Sequence, residues 1–163
     1  MYLLDTPVVF ELRKAKAGRT DTGLATWAAG VARQNLFVSA LALLELETMA
    51  ARQERIDKAA GTALRGWIDG AVMGAFEGRI LPVDVAVVRR RGQLPYADSR
   101  DGLMAATAIE HGLILVTRNT AAFKAGRVKV FNPWGYTPDD EGDDWGQAGR
   151  SGPLWLKNLF VRA

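Results

Sequence analysis

Four short apolar runs frame this chain: Tyr2–Asp5, which ends on an acid, Leu36–Ser39, Leu113–Thr117 and Val128–Phe131. Runs of this length suit strands better than helices. Between them the pattern turns helical. Thr6 can cap a helix and Pro7 suits its first turn, which predicts a helix over 6–15. Leu24, Trp27, Ala28 and Val31 share one face of a helix predicted over 22–33. Further helices are predicted over 40–55 and 58–76. Arg79–Val83 reads as a strand or an extended connection before a helix over 84–91. After a loop over 92–100 comes a helix over 101–111, which Gly112 stops, and 119–124 makes a short helical turn. Strands that alternate with helices imply parallel pairing through right-handed crossovers. The expected fold is α/β: a three-layer α/β/α sandwich around a parallel sheet of four to five short strands.

A chain of 163 residues suits one domain with its own core. The composition shifts at Thr137, so residues 1–136 are expected to form the domain and 137–163 an appended, partly disordered tail. That tail runs acidic through Asp139, Asp140, Glu141, Asp143 and Asp144, then apolar over Pro153–Val161. Trp155 with Leu159, and Leu156 with Phe160, are four apart, which suits a short amphipathic helix. With the acids concentrated there, the basic excess behind the net charge of +3 lies in the body, where it suits a polyanion or an acidic partner surface. The absence of cysteine excludes disulfides, thiol catalysis and zinc–thiolate sites. No run of eighteen apolar residues occurs, and the N-terminus lacks a secretory pattern, so the expectation is a cytoplasmic protein without a membrane span.

In an open parallel sheet, ligands bind beyond the carboxyl ends of the strands. Asp5 ends the first strand, and Glu45 lies less than two turns into the helix after the second. Asp101 begins the helix before the third strand, with Asp98 three residues earlier, and Asn119 follows that strand. Clustered carboxylates repel one another, and a cation relieves this. Hard oxygen donors, no cysteine and a single histidine favour magnesium or manganese over zinc. Taken singly, each acid has a structural role: Asp101 as a helix cap, Glu45 with Glu47 as an exposed face, Asp5 as a strand end. Taken together at one sheet edge they point to chemistry. His111 is expected to cap or turn rather than to act as a base. Arg118 is read as either a phosphate contact or a solvated charge, and Arg89–Arg91 as a solvated helix end that suits the dipole. Trp27, Trp67 and Trp134 are assigned to core or dimer surface. No glycine-rich motif cradles a phosphate, which disfavours a nucleotide cofactor.

Four segments, in order and spacing, resemble one known family: Tyr2–Lys14 (YLLDTPVVFELRK), Ser39–Glu47 (SALALLELE), Pro95–Phe123 (PYADSRDGLMAATAIEHGLILVTRNTAAF) and Phe131–Gly135 (FNPWG). The family is that of the PIN-domain ribonucleases, in its branch of VapC-type toxins of type II toxin–antitoxin systems. The resemblance implies hydrolysis of RNA phosphodiester bonds with Mg²⁺ or Mn²⁺, restraint by a cognate antitoxin, and a homodimer. By position it makes Asp5, Glu45 and Asp101 the catalytic metal ligands. Thr6, Asp98 and Asn119 become accessory or orienting residues around them, and Arg118 a candidate contact to RNA phosphate. The chain departs from the family's pattern in two places. Pro7 stands where the family continues its opening motif with a polar residue, and the stretch 117–123 holds no acid. These departures keep open a degenerate PIN domain that binds RNA or an antitoxin without cutting. A phosphotransferase with Asp5 as nucleophile ranks lower, because it commonly needs a second acid at position 7.

Overall fold

A computed structural model describes residues 1–15 and 18–138 of the chain. The acidic stretch, the apolar patch and the helix expected within 139–163 lie outside the described residues.

Five strands form one sheet: β1 Tyr2–Leu4, β2 Leu36–Ser39, β3 Ile80–Leu81, β4 Ile114–Val116 and β5 Val130–Phe131, in the order β3-β2-β1-β4-β5. Every pairing is parallel. Tyr2 stands opposite both Leu36 and Ile114, and Leu4 opposite both Val38 and Val116, so β1 is locked on both edges. The helices are α1 Thr6–Leu12, α2 Thr22–Gly30, α3 Ala40–Ile56, α4 Lys58–Trp67, α5 Met73–Ala75, α6 Val85–Gly92 and α7 Ser99–Glu110. Side chains alternate across the pleat, and this divides the core in two. Leu4, Val38 and Val116 face α1–α4, with Val8, Trp27, Leu46, Trp67 and Phe76 around them. Leu3 and Leu115 face the other way, onto Met104, Ala105 and Ala108 of α7 and onto Phe123. Leu3 and Leu4 are fully buried, each contributing about 1.5–3 kcal/mol by leaving water.

The three-layer expectation stands, with five strands; the differences lie at element ends. The first helix stops at Leu12 rather than 15, and the second ends at Gly30, followed by a 3-10 turn at Arg33–Asn35. The helix expected over 58–76 is not uniform. After α4 it widens into a π-helical stretch, Ile68–Val72, before closing as α5. That extra residue per turn re-phases the apolar face, so Leu64, Trp67, Ile68, Val72 and Phe76 all reach the core. Asp84 and Asp98 precede their helices and cap them, accepting from Val87 N at 3.0 Å and Asp101 N at 2.8 Å. His111 is the C-cap of α7, and Gly112 takes the positive φ of 64° that ends it.

The last described turn is bolted to the start of α2. Asp21 caps that helix through Leu24 N at 3.0 Å, and the same oxygen accepts from Gly135 N at 3.1 Å. These amide bonds, together with the nearby charge of Arg118, hold the Asp21 carboxyl below its usual range. Gly23 makes the approach possible, because a Cβ there would fall 2.7 Å from the Gly135 backbone and collide with the amide of Tyr136. Gly23→Ala is therefore expected to destabilise the fold by about 1–3 kcal/mol, the usual cost of overpacking. A urea melt with an unchanged midpoint would contradict this packing.

Candidate active site

The strand order reverses beside β1: the chain moves outward to β2 and β3, then returns to place β4 on the opposite side. Such a switch point opens a crevice at the carboxyl ends of the two central strands. Asp5 follows β1 there, and Thr117 follows β4. α3 leaves the same edge after β2 and brings Glu45 in its second turn. α7 runs back towards β4, so its first turn, with Arg100 and Asp101, lies at this edge too.

Asp5 is 2% exposed, deep for a carboxylate. Its Oδ1 accepts from Thr6 N at 2.8 Å, its Oδ2 from the Thr117 hydroxyl at 2.7 Å, and its own amide donates to Val116 O at 3.0 Å. Thr6 donates its hydroxyl to Glu45 Oε2. Pro7 sits exposed in the first turn of α1, where a missing N–H costs nothing, so this departure from the family motif leaves the local geometry intact.

The structure brings Asp5, Glu45 and Asp101 together, and it does so around Arg100. The Arg100 guanidinium donates from Nε to Glu45 Oε1 at 2.8 Å and from Nη2 to Glu45 Oε2 at 3.1 Å. Its Nη1 reaches Asp101 Oδ1 at 3.0 Å, and its Nη2 also pairs with Asp5 Oδ1. Burial pulls the arginine pKa down, but the bonds from Glu45 and the charge of Asp5 outweigh it and hold the group above its usual value. For Glu45, burial pushes the carboxyl up, while hydrogen bonds from Arg100 and Thr6 bring it below the ordinary range. Both ends of the pair are thus charged at neutral pH.

Arg100 and Thr117 were not visible as site residues in the sequence, where Arg100 reads as the end of a loop. One signal was available. A cluster of acids needs a positive partner, and Arg100 stands between two of the acids in question. Asp98 stands at the border of the cluster, where its charge works to raise the Glu45 carboxyl. Its exposed carboxylate caps α7, which corrects the reading of Asp101 as the cap and leaves Asp101 as an acid in the favourable first turn. Asn119 enters through its backbone N–H, which donates to Thr117 Oγ1 at 3.2 Å. Arg118 lies with its guanidinium 5.5 Å from the Trp134 ring centroid, at the same edge.

In donor chemistry the three carboxylates suit a hard divalent cation, because all offer oxygen and all border one guanidinium. As arranged, the space between them belongs to that guanidinium, and among the described residues no group of three or more acids, histidines or cysteines stands ready as an ion cage. Thr117 takes over part of the work of anchoring Asp5 in the stretch that holds no acid. Thr117→Val, which keeps the shape and removes the hydroxyl, should cost about 1–3 kcal/mol by leaving a buried carboxylate oxygen without its donor. Thr117→Ser should stay near the parent. Equal thermal stability of the valine variant and the parent would show that this bond does not hold Asp5.

The comparisons with known proteins agree with this architecture. The PIN domain family model matches residues 2–128. VapC ribonuclease Y4jK of Sinorhizobium fredii is 32% identical over 146 residues, covering 82% of this chain and 98% of the relative. Toxin FitB of Neisseria gonorrhoeae is 32% identical over 142 residues, covering 82% of this chain and 99% of the relative. The crystal structure of FitAcB from Neisseria gonorrhoeae superposes with a TM-score of 0.73 at 31% identity, over 82% of this chain and 99% of that one. With its matched span, its reversed-order parallel sheet and its relatives alike, the chain belongs to the PIN-domain family.

Proposed function

We propose that this chain is a metal-dependent ribonuclease toxin that hydrolyses RNA phosphodiester bonds under the restraint of a cognate antitoxin. The observation that carries this reading is the convergence of Asp5, Glu45 and Asp101 at the switch point of the sheet. Asp5, Glu45 and Asp101 would hold Mg²⁺ or Mn²⁺, which when bound supplies an activated water and stabilises charge on the phosphate. The protein's part is positioning. Thr117 and the Thr6 amide fix the Asp5 carboxylate, and the Thr6 hydroxyl fixes Glu45. The Asp98 cap sets the first turn of α7 and thereby Asp101. Arg118, exposed beside Trp134, is the proposed contact to RNA phosphate. The names of the relatives support the ribonuclease and toxin parts of this reading. Among the described residues no helix is long and apolar enough to cross a membrane, and we place the activity in the cytoplasm, where RNA is.

A second reading, a PIN domain that binds RNA or an antitoxin without cutting, draws on the guanidinium seated among the acids. Asp5→Asn and Asp101→Asn separate the two. Under the first reading each should lower Mn²⁺-dependent cleavage of total RNA by at least about a hundredfold, the scale of losing one electrostatic anchor at a reacting phosphate. Circular dichroism should show the fold retained. Full cleavage by either variant would overturn the catalytic assignment, and no cleavage by the parent with Mn²⁺ or Mg²⁺ would favour the second reading.

A homodimer and an antitoxin complex are part of the same proposal. The surface for them is α3 and α5, where Leu44, Met49, Ile56 and Met73 stand exposed. α2 buries its apolar face inward through Leu24, Trp27 and Ala28 and offers less than its composition promised. Two-fold pairs are the commonest assemblies. Light scattering should give a mass that doubles with concentration, and a Leu44→Glu, Ile56→Glu double variant should remain at the protomer mass. A protomer mass at every concentration would exclude the dimer.

A further inference from the structure

Most of the oxygens that suit a divalent cation at this site are already committed, Asp101 Oδ1 among them. Asp5 Oδ1 takes the Thr6 amide and Arg100, and its Oδ2 takes Thr117. Both Glu45 oxygens face the guanidinium, and Oε2 also takes the Thr6 hydroxyl. Three nitrogens of one planar group thereby serve three carboxylates, the fork geometry that suits arginine and not lysine. The arginine carries its charge permanently, so it does not leave the cluster by losing a proton. Magnesium asks for near-octahedral oxygen contacts at about 2.0–2.1 Å, and a guanidinium at the same oxygens both fills the directions and repels the ion.

We propose that Arg100 is a built-in competitor of the divalent ion: guanidinium and metal claim the same oxygens of Asp5, Glu45 and Asp101, and the ion binds only as Arg100 withdraws. The inference rests on the metal-dependent reading above. Two observations make withdrawal feasible. The Arg100 side chain is 27% exposed, so solvent borders it, and its backbone lies in a turn fixed independently by Asp98. The side chain can therefore swing out while Asp101 stays. Three carboxylates against one guanidinium leave the site negative, so it still attracts a dication. A competent state populated about a tenth of the time lowers apparent affinity about tenfold. Arg100 thus sets the metal concentration at which the site fills.

The test is Mn²⁺ binding by calorimetry to the full chain, in the parent and in Arg100→Met, which keeps the length and removes the charge and the fork. Arg100→Met should bind Mn²⁺ about tenfold more tightly. Its melting temperature should fall below the parent's in EDTA and gain more from Mn²⁺. Arg100→Lys, which keeps a charge without the fork, should fall between them, and it decides the matter if the methionine variant does not fold. Affinity equal to or weaker than the parent's, in whichever variant folds, overturns the competition while leaving the metal-dependent reading in place. Failure of parent and variants alike to bind Mn²⁺ removes both. Lost cleavage at saturating Mn²⁺ with unchanged affinity would make Arg100 a substrate contact and overturn the proposal.

Discussion

Everything at the centre of this molecule hangs on a three-residue strand. Tyr2–Leu4 pairs with β2 on one side and β4 on the other, and Leu3 and Leu4 project to opposite faces with no exposure at all. Each core therefore closes on one of two neighbouring residues. The strand has no spare length: the next residue, Asp5, ends it, caps α1 and enters the acidic cluster. A shift of one residue in β1 would exchange the two cores and carry Asp5 away from Thr117. Position of the site and integrity of the fold are in this sense a single constraint.

The acid cluster is tolerated because it is never bare. Isolated buried carboxylates cost far more than a small domain can spare, and such groups are found paired. Here the pairing is supplied from within, by hydroxyls from Thr6 and Thr117 and by the guanidinium of Arg100. Truncating such a partner is usually costlier than the pair itself is stabilising, since the remaining charge stays buried. Asp101 and Glu45, nearer solvent than Asp5, have water as an alternative partner. Asp5, almost fully buried, draws its donors from three residues, Thr6, Arg100 and Thr117.

The alternation of apolar runs with helical stretches made the fold legible, because parallel strands and their crossovers leave a coarse pattern that survives errors at the ends. The ends were set by side chains whose partners the pattern does not reveal. Asp98, not Asp101, caps α7, so the helix begins at Ser99 rather than at 101. The widened turn at Ile68–Val72 keeps an apolar periodicity close to that of an ordinary helix, and so 58–76 read as uniform. The candidate acids stand out in the sequence because one ends a strand and the others lie in the first two turns of their helices. Arg100 does not. Its partners Glu45 and Asp5 lie 55 and 95 positions away, and Thr117 lies 112 from Asp5, separations over which local spacing says nothing. What the sequence does carry is the need for a cation, and a cluster of acids alone does not distinguish a metal from an arginine.

The two outer strands, Ile80–Leu81 and Val130–Phe131, are only two residues long. A long, flat border of unpaired amides and carbonyls invites a neighbouring chain to extend the sheet, and repeated extension leads to aggregates. These borders are too short to template such growth. Rejecting edge-to-edge addition matters for a protein whose central strands are apolar almost throughout, for example Leu36-Phe37-Val38 and Ile114-Leu115-Val116. It also steers association elsewhere: contacts between copies, or with a partner, fall to helical surfaces whose residues can vary without disturbing the sheet. Binding specificity can then diverge among relatives while the scaffold beneath the carboxylates stays fixed.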